Sequence, residues 1–268
     1  MTPVTFSVVT ISYNQSKFLE RAIRSVLAQK GAEFEYIIVD PGSTDGSREI
    51  IERYREAFAH VIFDKDEGPA DGLNKALARA SGVFFVYINS DDELLPGALS
   101  KMAAALGRAP QLDVAYANGC VLDADGNFVR RIYSARRFTP SLHARGLAAI
   151  VQQASCTRTA KLRAVGGFNK CNRTSWDGEA FLDIALAGGR FARTWDDWGV
   201  FRIYPGSISG GGRLNEAYRS DCARLFRKTF GRPADRCDGL ATIALYILTR
   251  LADFSRLRQS ALSFFGKN

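Results

Sequence analysis

Metal-binding side chains of the zinc type are scarce in this 268-residue sequence: there are two histidines, His60 and His143, and five cysteines, with no C-x-x-C pair. The cysteines (Cys120, Cys156, Cys171, Cys222, Cys237) are odd in number and scattered. They form no disulfide framework and read as small buried thiols of a reducing compartment. No apolar run approaches the ~18–20 residues that cross a bilayer. Neither G-x-G-x-x-G nor a P-loop pattern occurs, so a redox dinucleotide and an ATPase-type phosphate cradle are both without support. Repeats and low-complexity tracts are also missing. A β-branched strand, Phe6–Ile11, is expected directly behind the start, so no signal peptide is expected.

What remains is an ordinary globular composition, 46% hydrophobic and 24% charged. A chain of this length buries a sizeable core without staples. Lys and Arg number 36 against 28 Asp and Glu, a net charge of +8. That balance favours anionic partners such as a phosphorylated substrate or an anionic membrane surface. Acidic groups at Asp64, Asp66 and Glu67 and at Asp91, Asp92 and Glu93 argue against nucleic acid as the partner.

Strand and helix signals alternate through the first half. Strands are expected at Phe6–Ile11, Tyr36–Val39, Val61–Phe63 and Val83–Ile88. Helices fall between them, the second capped by Ser47. This pattern implies an α/β fold with a mostly parallel central sheet flanked by helices, in which ligands bind at the carboxyl ends of the strands. Those ends carry Tyr13, Asp40, Asp64–Gly68 and Asn89-Ser-Asp-Asp92. The second half is less regular. It reads as a strand at Val114–Asn118, a hairpin around Asp125-Gly126, helices at Thr159–Val165 and 177–187, and separate strands at Arg190–Trp195 and Val200–Tyr204. The glycine-rich Pro205–Gly212 suits a mobile lid, and helices follow near Asn215–Phe230 and Asp238–Phe265.

Adjacent carboxylates at Asp91-Asp92 repel each other unless a cation compensates, and hard oxygen ligands shared with substrate phosphates suit Mg²⁺ or Mn²⁺. An aromatic ring at Tyr13 can stack on a nucleobase, and Asp40 can accept a hydrogen bond from a base or ribose. Asp177 opens a helix behind Trp176, whose ring can desolvate it and raise its pKa towards that of a general base. Glu179 sits on another face of the same helix.

Ser7-Val-Val-Thr-Ile-Ser-Tyr-Asn14, Ile38-Val-Asp-Pro-Gly-Ser-Thr-Asp-Gly-Ser47, Glu67-Gly68, Asn74-Lys75, Asn89-Ser-Asp-Asp92, Gly166-Gly167-Phe168 and Trp176-Asp-Gly-Glu179 together resemble the family 2 glycosyltransferases with the GT-A fold. The resemblance covers about residues 5–210 in the family's order. It implies an inverting transfer of a sugar from a nucleotide-diphosphate donor, a UDP-sugar first, to a hydroxyl acceptor in surface-polysaccharide synthesis. It also implies a divalent metal held by Asp92 and Asp91, and Asp177 as the base with Glu179 as a second candidate. The nucleotide-sugar would then lie among Thr10, Tyr13, Asn14, Asp40, Gly68, Asp71, Asn74, Asp91, Arg202 and Arg213. Three positions depart from the family pattern: Pro41 for a second carboxylate, Asp183 for an arginine, and Tyr204 for a histidine that contacts phosphate or metal.

The expected organisation is a glycosyltransferase domain over 1–212, with a nucleotide-sugar half at 1–118 and an acceptor half at 119–212, and a helical C-terminal extension over 213–268. Leu240, Ile243, Ala244, Ile247 and Leu251 with Arg250, Arg256, Arg258 and Lys267 suggest either a packed helical cap, with homodimerisation open, or a basic amphipathic face resting on anionic lipid. The latter would place a cytoplasmic protein on the inner face of the membrane, beside a lipid-linked glycan acceptor. A nucleotidyltransferase and an inactive sugar-nucleotide-binding module are the competing readings.

Overall fold

A computed structural model describes residues 5–207 and 215–252. Its elements are β1 (Phe6–Ile11), α1 (Ser16–Leu27), β2 (Phe34–Val39), α2 (Ser47–Arg53), β3 (His60–Ile62), α3 (Pro69–Arg79), β4 (Phe84–Asn89), β5 (Glu93–Leu94), α4 (Ala98–Arg108), β6 (Val114–Leu122), β7 (Phe128–Ile132), α5 (Pro140–Ala144), β8 (Ser155–Arg158), α6 (Thr159–Ala164), α7 (Trp176–Leu186), β9 (Phe191–Arg202), α8 (Asn215–Phe230) and α9 (Arg236–Ala252).

One nine-stranded sheet runs in the order β3-β2-β1-β4-β8-β6-β9-β5, with β7 paired to β6. The first four strands are parallel, as their buried β-branched and aromatic runs require. Alternate residues feed two cores. Val8, Ile38, Val86 and Ile88 pack with Leu19 and Ile23 of α1 on one face. Val9, Ile37, Val39 and Tyr87 pack with Leu73 and Leu77 of α3 on the other. The parallel part ends at β8, which runs antiparallel to both β4 and β6. Ser155, Cys156 and Thr157 of this strand are buried although two of the three are polar, which is why no hydrophobic run announces it.

Two local expectations need correction. Ser47 does not cap α2: Gly46 is the capping residue, while the Ser47 hydroxyl donates to Asp45 Oδ1 at 2.6 Å. The two strands expected after residue 190 are a single strand, β9, which pairs with β6 through register shifts near Tyr116, Asn118 and Gly119. Within it Trp195 is exposed and Trp198 is fully buried, so the sequence shows no continuous core face. Of the expected lid, residues 208–212 lie outside the described residues, as do Arg213 and the chain after 252. Among the described residues, no helix is long and apolar enough to cross a membrane.

Candidate active site

Strand ends of the parallel half and the start of α7 enclose an open cleft of about 1120 Å³. Its floor is the loop after β1 (Ser12, Tyr13, Asn14, Gln15), the turn after β2 (Pro41, Gly42), the start of α3 (Gly68, Pro69) and the loop after β4 (Asn89, Ser90, Asp91). Tyr13 is 61% exposed, with its ring free at the mouth. Asn14 adopts a left-handed backbone (φ 52°). That turn lets its side chain accept from Thr44 N at 2.9 Å while its own N–H donates to Ser43 Oγ at 2.8 Å. The first and second loops are thereby locked together.

Asp40 is buried just beneath. Its Oδ1 accepts from the N–H groups of Gly42 and Ser43 at 3.1 and 2.8 Å, and Arg48 closes on it from a position over the Phe63 ring. Its Oδ2 is buried and has no partner among the described residues. An unpaired buried carboxylate oxygen is costly, and a ligand N–H or O–H would satisfy it.

The acidic pair divides its labour. Asp92 is turned inward, 1% exposed, and is satisfied by Asn89 Nδ2 at 3.0 Å, Gln153 Nε2 at 2.7 Å and the backbone N–H of Arg202 at 3.1 Å. Burial, and then the charge of Asp91 next door, push its carboxyl above the ordinary range. Asp91 faces the cleft, and Tyr204 donates to its Oδ2 at 2.9 Å. Gln15 holds that phenol from behind, at 2.8 Å. Burial pushes the Tyr204 hydroxyl up to about 12, so it remains a donor.

Across the cleft, Asp177 stands in the first turn of α7 beside the buried Trp176. It also borders a small internal void lined by Phe85, Leu162, Phe168 and Phe181. Burial raises its pKa above the usual aspartate value; hydrogen bonding from the α7 backbone and the neighbouring His143 oppose the shift.

Residues 7–157 match the profile described as glycosyl transferase family 2, more than half of the chain. The chain belongs to this family. A 98-residue stretch is 40% identical to a putative teichuronic acid biosynthesis glycosyltransferase, TuaG, of Bacillus subtilis. It covers 35% of this chain and 39% of that protein, so the chain spans well under two thirds of that relative. Two solved structures share the fold. TarS 1-349 of S. aureus in complex with UDP superposes with a TM-score of 0.67 at 21% identity, over 91% of this chain and 71% of that one. A mannosyltransferase of Pyrobaculum calidifontis in complex with GDP-Man and Mn²⁺ gives 0.65 at 18%, over 98% and 81%. The curled mixed sheet with flanking helices is the GT-A architecture, shared with these structures.

The structure gathers Tyr13, Asn14, Gly68, Asp91 and Asp177 around one cleft, with Asp40 beneath its floor. Several other candidates sit elsewhere. Thr10 is buried in the core, where Oγ1 meets Tyr36 Oη at 2.8 Å. Asp71 pairs with Lys75 at 3.2 Å and Lys170 at 3.5 Å on the outer side of α3. Asn74 is a clamp: its amide donates to Phe168 O and accepts from Phe168 N, both at 2.8 Å, tying α3 to the Gly166-Gly167 turn. Arg202 lines the cleft, but its guanidinium is consumed by Asp91 O, Asp123 O and Glu93, so it is not available to a diphosphate. Asp92 as a metal ligand is corrected by its inward bonding; Asp91 is the carboxylate that the cleft sees.

Glu179 is no alternative base. It is 1% exposed between α7 and α8, bonded to Asn169, Asn172, Arg224 and Lys228 at 2.7–3.0 Å. Burial works against its ionisation, but these bonds overcome it and hold the carboxyl down at about 2. Asp183, at the departure from the family pattern, joins the same cluster through Lys228. Ser12 and Gln153 were not foreseen. Ser12 Oγ is buried at the cleft without a partner among the described residues, and Gln153 bridges the cleft wall to Asp92. Their only sequence signal is polarity at a strand end, and in the Gln152-Gln153 pair before a polar strand.

Proposed function

We propose that this chain is an inverting glycosyltransferase of surface-polymer synthesis, moving a sugar from a nucleotide-diphosphate donor, a UDP-sugar first, to a hydroxyl acceptor. The observation that carries this reading is one cleft with the unsatisfied Asp40 oxygen buried beneath the turn at Pro41-Gly42 in its floor and a desolvated Asp177 in its wall. The base would stack on Tyr13 and donate an N–H to Asp40 Oδ2. Asp177 would take the acceptor's hydroxyl proton. The acceptor oxygen then forms its bond to the anomeric carbon on the face opposite the diphosphate, while the carbon–oxygen bond to the diphosphate breaks with both electrons. The product has inverted configuration, and the nucleoside diphosphate departs.

Asp91 would hold a divalent cation, Mn²⁺ or Mg²⁺. Among the described residues no group of three His, Cys, Asp or Glu could hold a metal, and 208–214 contain none of these. A single cleft carboxylate fits an ion that draws its remaining ligands from a diphosphate and water. When bound, such an ion neutralises charge on the leaving diphosphate. Residues 1–212 would form the transferase unit and the helices beyond them an extension, held to α7 through α8. Leu240, Ile243 and Ile247 of α9 are exposed, and we assign that face to an anionic lipid surface carrying the acceptor.

Isothermal titration of UDP, GDP and dTDP, each with Mn²⁺ and then with EDTA, tests the donor site. Metal-dependent binding of one nucleotide, lost in Asp91→Ala and retained in Asp177→Asn, is the expected outcome. Binding of none would overturn the reading. Flotation with anionic vesicles tests the α9 assignment; protein that stays at the bottom of the gradient removes it.

A further inference from the structure

A buried imidazole lies behind the first turn of α7. His143 belongs to the short helix α5, which Thr139 caps through Leu142 N. Its Nδ1 is 2.7 Å from Ala148 O. Since a carbonyl only accepts, Nδ1 carries the proton and the neutral ring presents its lone pair at Nε2. That Nε2 is buried and has no partner among the described residues. The ring packs on Phe138 at a centroid distance of 4.9 Å, which fixes its plane.

The opposite edge of the ring meets α7 one residue beyond Asp177. A Cβ built on Gly178 would lie 3.0 Å from both Cε1 and Nε2 of His143. Gly178 has ordinary helical backbone angles, so its missing side chain serves space, not conformation. The glycine of Trp176-Asp-Gly-Glu179 is the seat of the imidazole.

The two groups support each other's charged forms. Burial lowers the His143 pKa, while the Ala148 carbonyl and the Asp177 carboxylate raise it. Burial raises that of Asp177, and His143 counters. Tyr87 of β4 faces Asp177 as a neutral phenol whose own pKa burial drives well up. The other charges on the packed elements are paired: Glu179 and Asp183 with Arg224 and Lys228, Arg145 of α5 with Asp238.

We propose that His143 is the positioning residue of Asp177: seated against Gly178 and anchored on Ala148, the imidazole fixes the turn of α7 that carries the carboxylate and couples to its charge through space. This rests on Asp177 being the base. The acidic limb of the rate profile then belongs to the pair.

The test uses the whole protein. With only two histidines, a His60→Gln variant leaves His143 alone in the imidazole region of a proton NMR spectrum. Its titration midpoint is expected to fall by about one unit when Asp177→Asn is added, the size that marks real coupling. An unchanged midpoint overturns the proposal even if Asp177→Asn is inactive. Should Asp177→Asn retain transfer activity, the base reading fails while the titration still reports on the pair. Should Asp177→Asn not fold, His143→Asn decides: its acidic limb in kcat/KM moves to higher pH at unchanged donor KM, because the group that counters the upward shift of Asp177 is gone. A limb that stays in place overturns the proposal.

Discussion

Asp177 shows how much one side chain's setting matters. An aspartate in a helix's first turn is ordinarily a stabilised anion, with the dipole lowering its pKa. Here burial beside Trp176 wins and raises it. The acidic limb of kcat/KM should therefore lie above the usual aspartate range of about 4, because below its pKa the base is protonated and idle. Asp177→Asn should lower kcat by about 10²–10⁴ while leaving nucleotide affinity intact, measured by initial rates and titration side by side. Sequence pattern located this residue because its neighbours Trp176 and Gly178 are contiguous with it. The roles of Asp91 and Asp92 could not be read that way, since adjacent carboxylates differ only in what lies across the fold: Gln153 and the backbone of Arg202 claim one, and Tyr204 reaches the other. The places of Thr10, Asp71 and Asn74 were hidden for the same reason, as each has a partner far away in the chain.

At the scale of elements, the parallel half was legible because each strand is a hydrophobic run buried on both faces. The second half was not, because β8 is polar and β9 mixes buried and exposed positions along one strand. Within the second half, β6 and β9 meet at a tight seam where Gly119 lies opposite Gly199. A Cβ on Gly199 would fall 2.5 Å from Gln153 O, and one on Gly119 would fall 2.4 Å from Gly199 O. Backbone atoms cannot step aside cheaply, so Gly199→Ala should cost about 1–3 kcal/mol or more, seen as a lower denaturation midpoint. It should also weaken nucleotide binding, because Gln153 holds Asp92 behind the cleft.

Across the whole molecule, the C-terminal helices do more than append a tail. Arg224 and Lys228 of α8 reach into the body and neutralise Glu179, while Asp221 accepts from Arg173 N and Thr174 N just before Asp177, both at 3.1 Å. Glu179→Gln should destabilise the protein by about 1–3 kcal/mol at neutral pH. Its folded pKa, about 2, lies below the unfolded value near 4.3, so the carboxylate contributes stability above that range and loses it as acid is added. Thermal melts of wild type and variant should therefore converge towards pH 2 and separate above pH 5.

The reversal of strand direction at β8 has a consequence for assembly in time. β1 pairs with β2, 28 residues on (Phe6 with Phe34), and with β4, 78 residues on (Phe6 with Phe84). Asp92, by contrast, gains its last hydrogen bond from Arg202, 110 residues further on. Long loops close late and at an entropic cost. A chain emerging from the ribosome can thus lay down the parallel strands first, with the bond from Arg202 to the buried carboxylate missing until β9 arrives. The cleft wall behind Asp91 is therefore complete only once β9 has been made and paired.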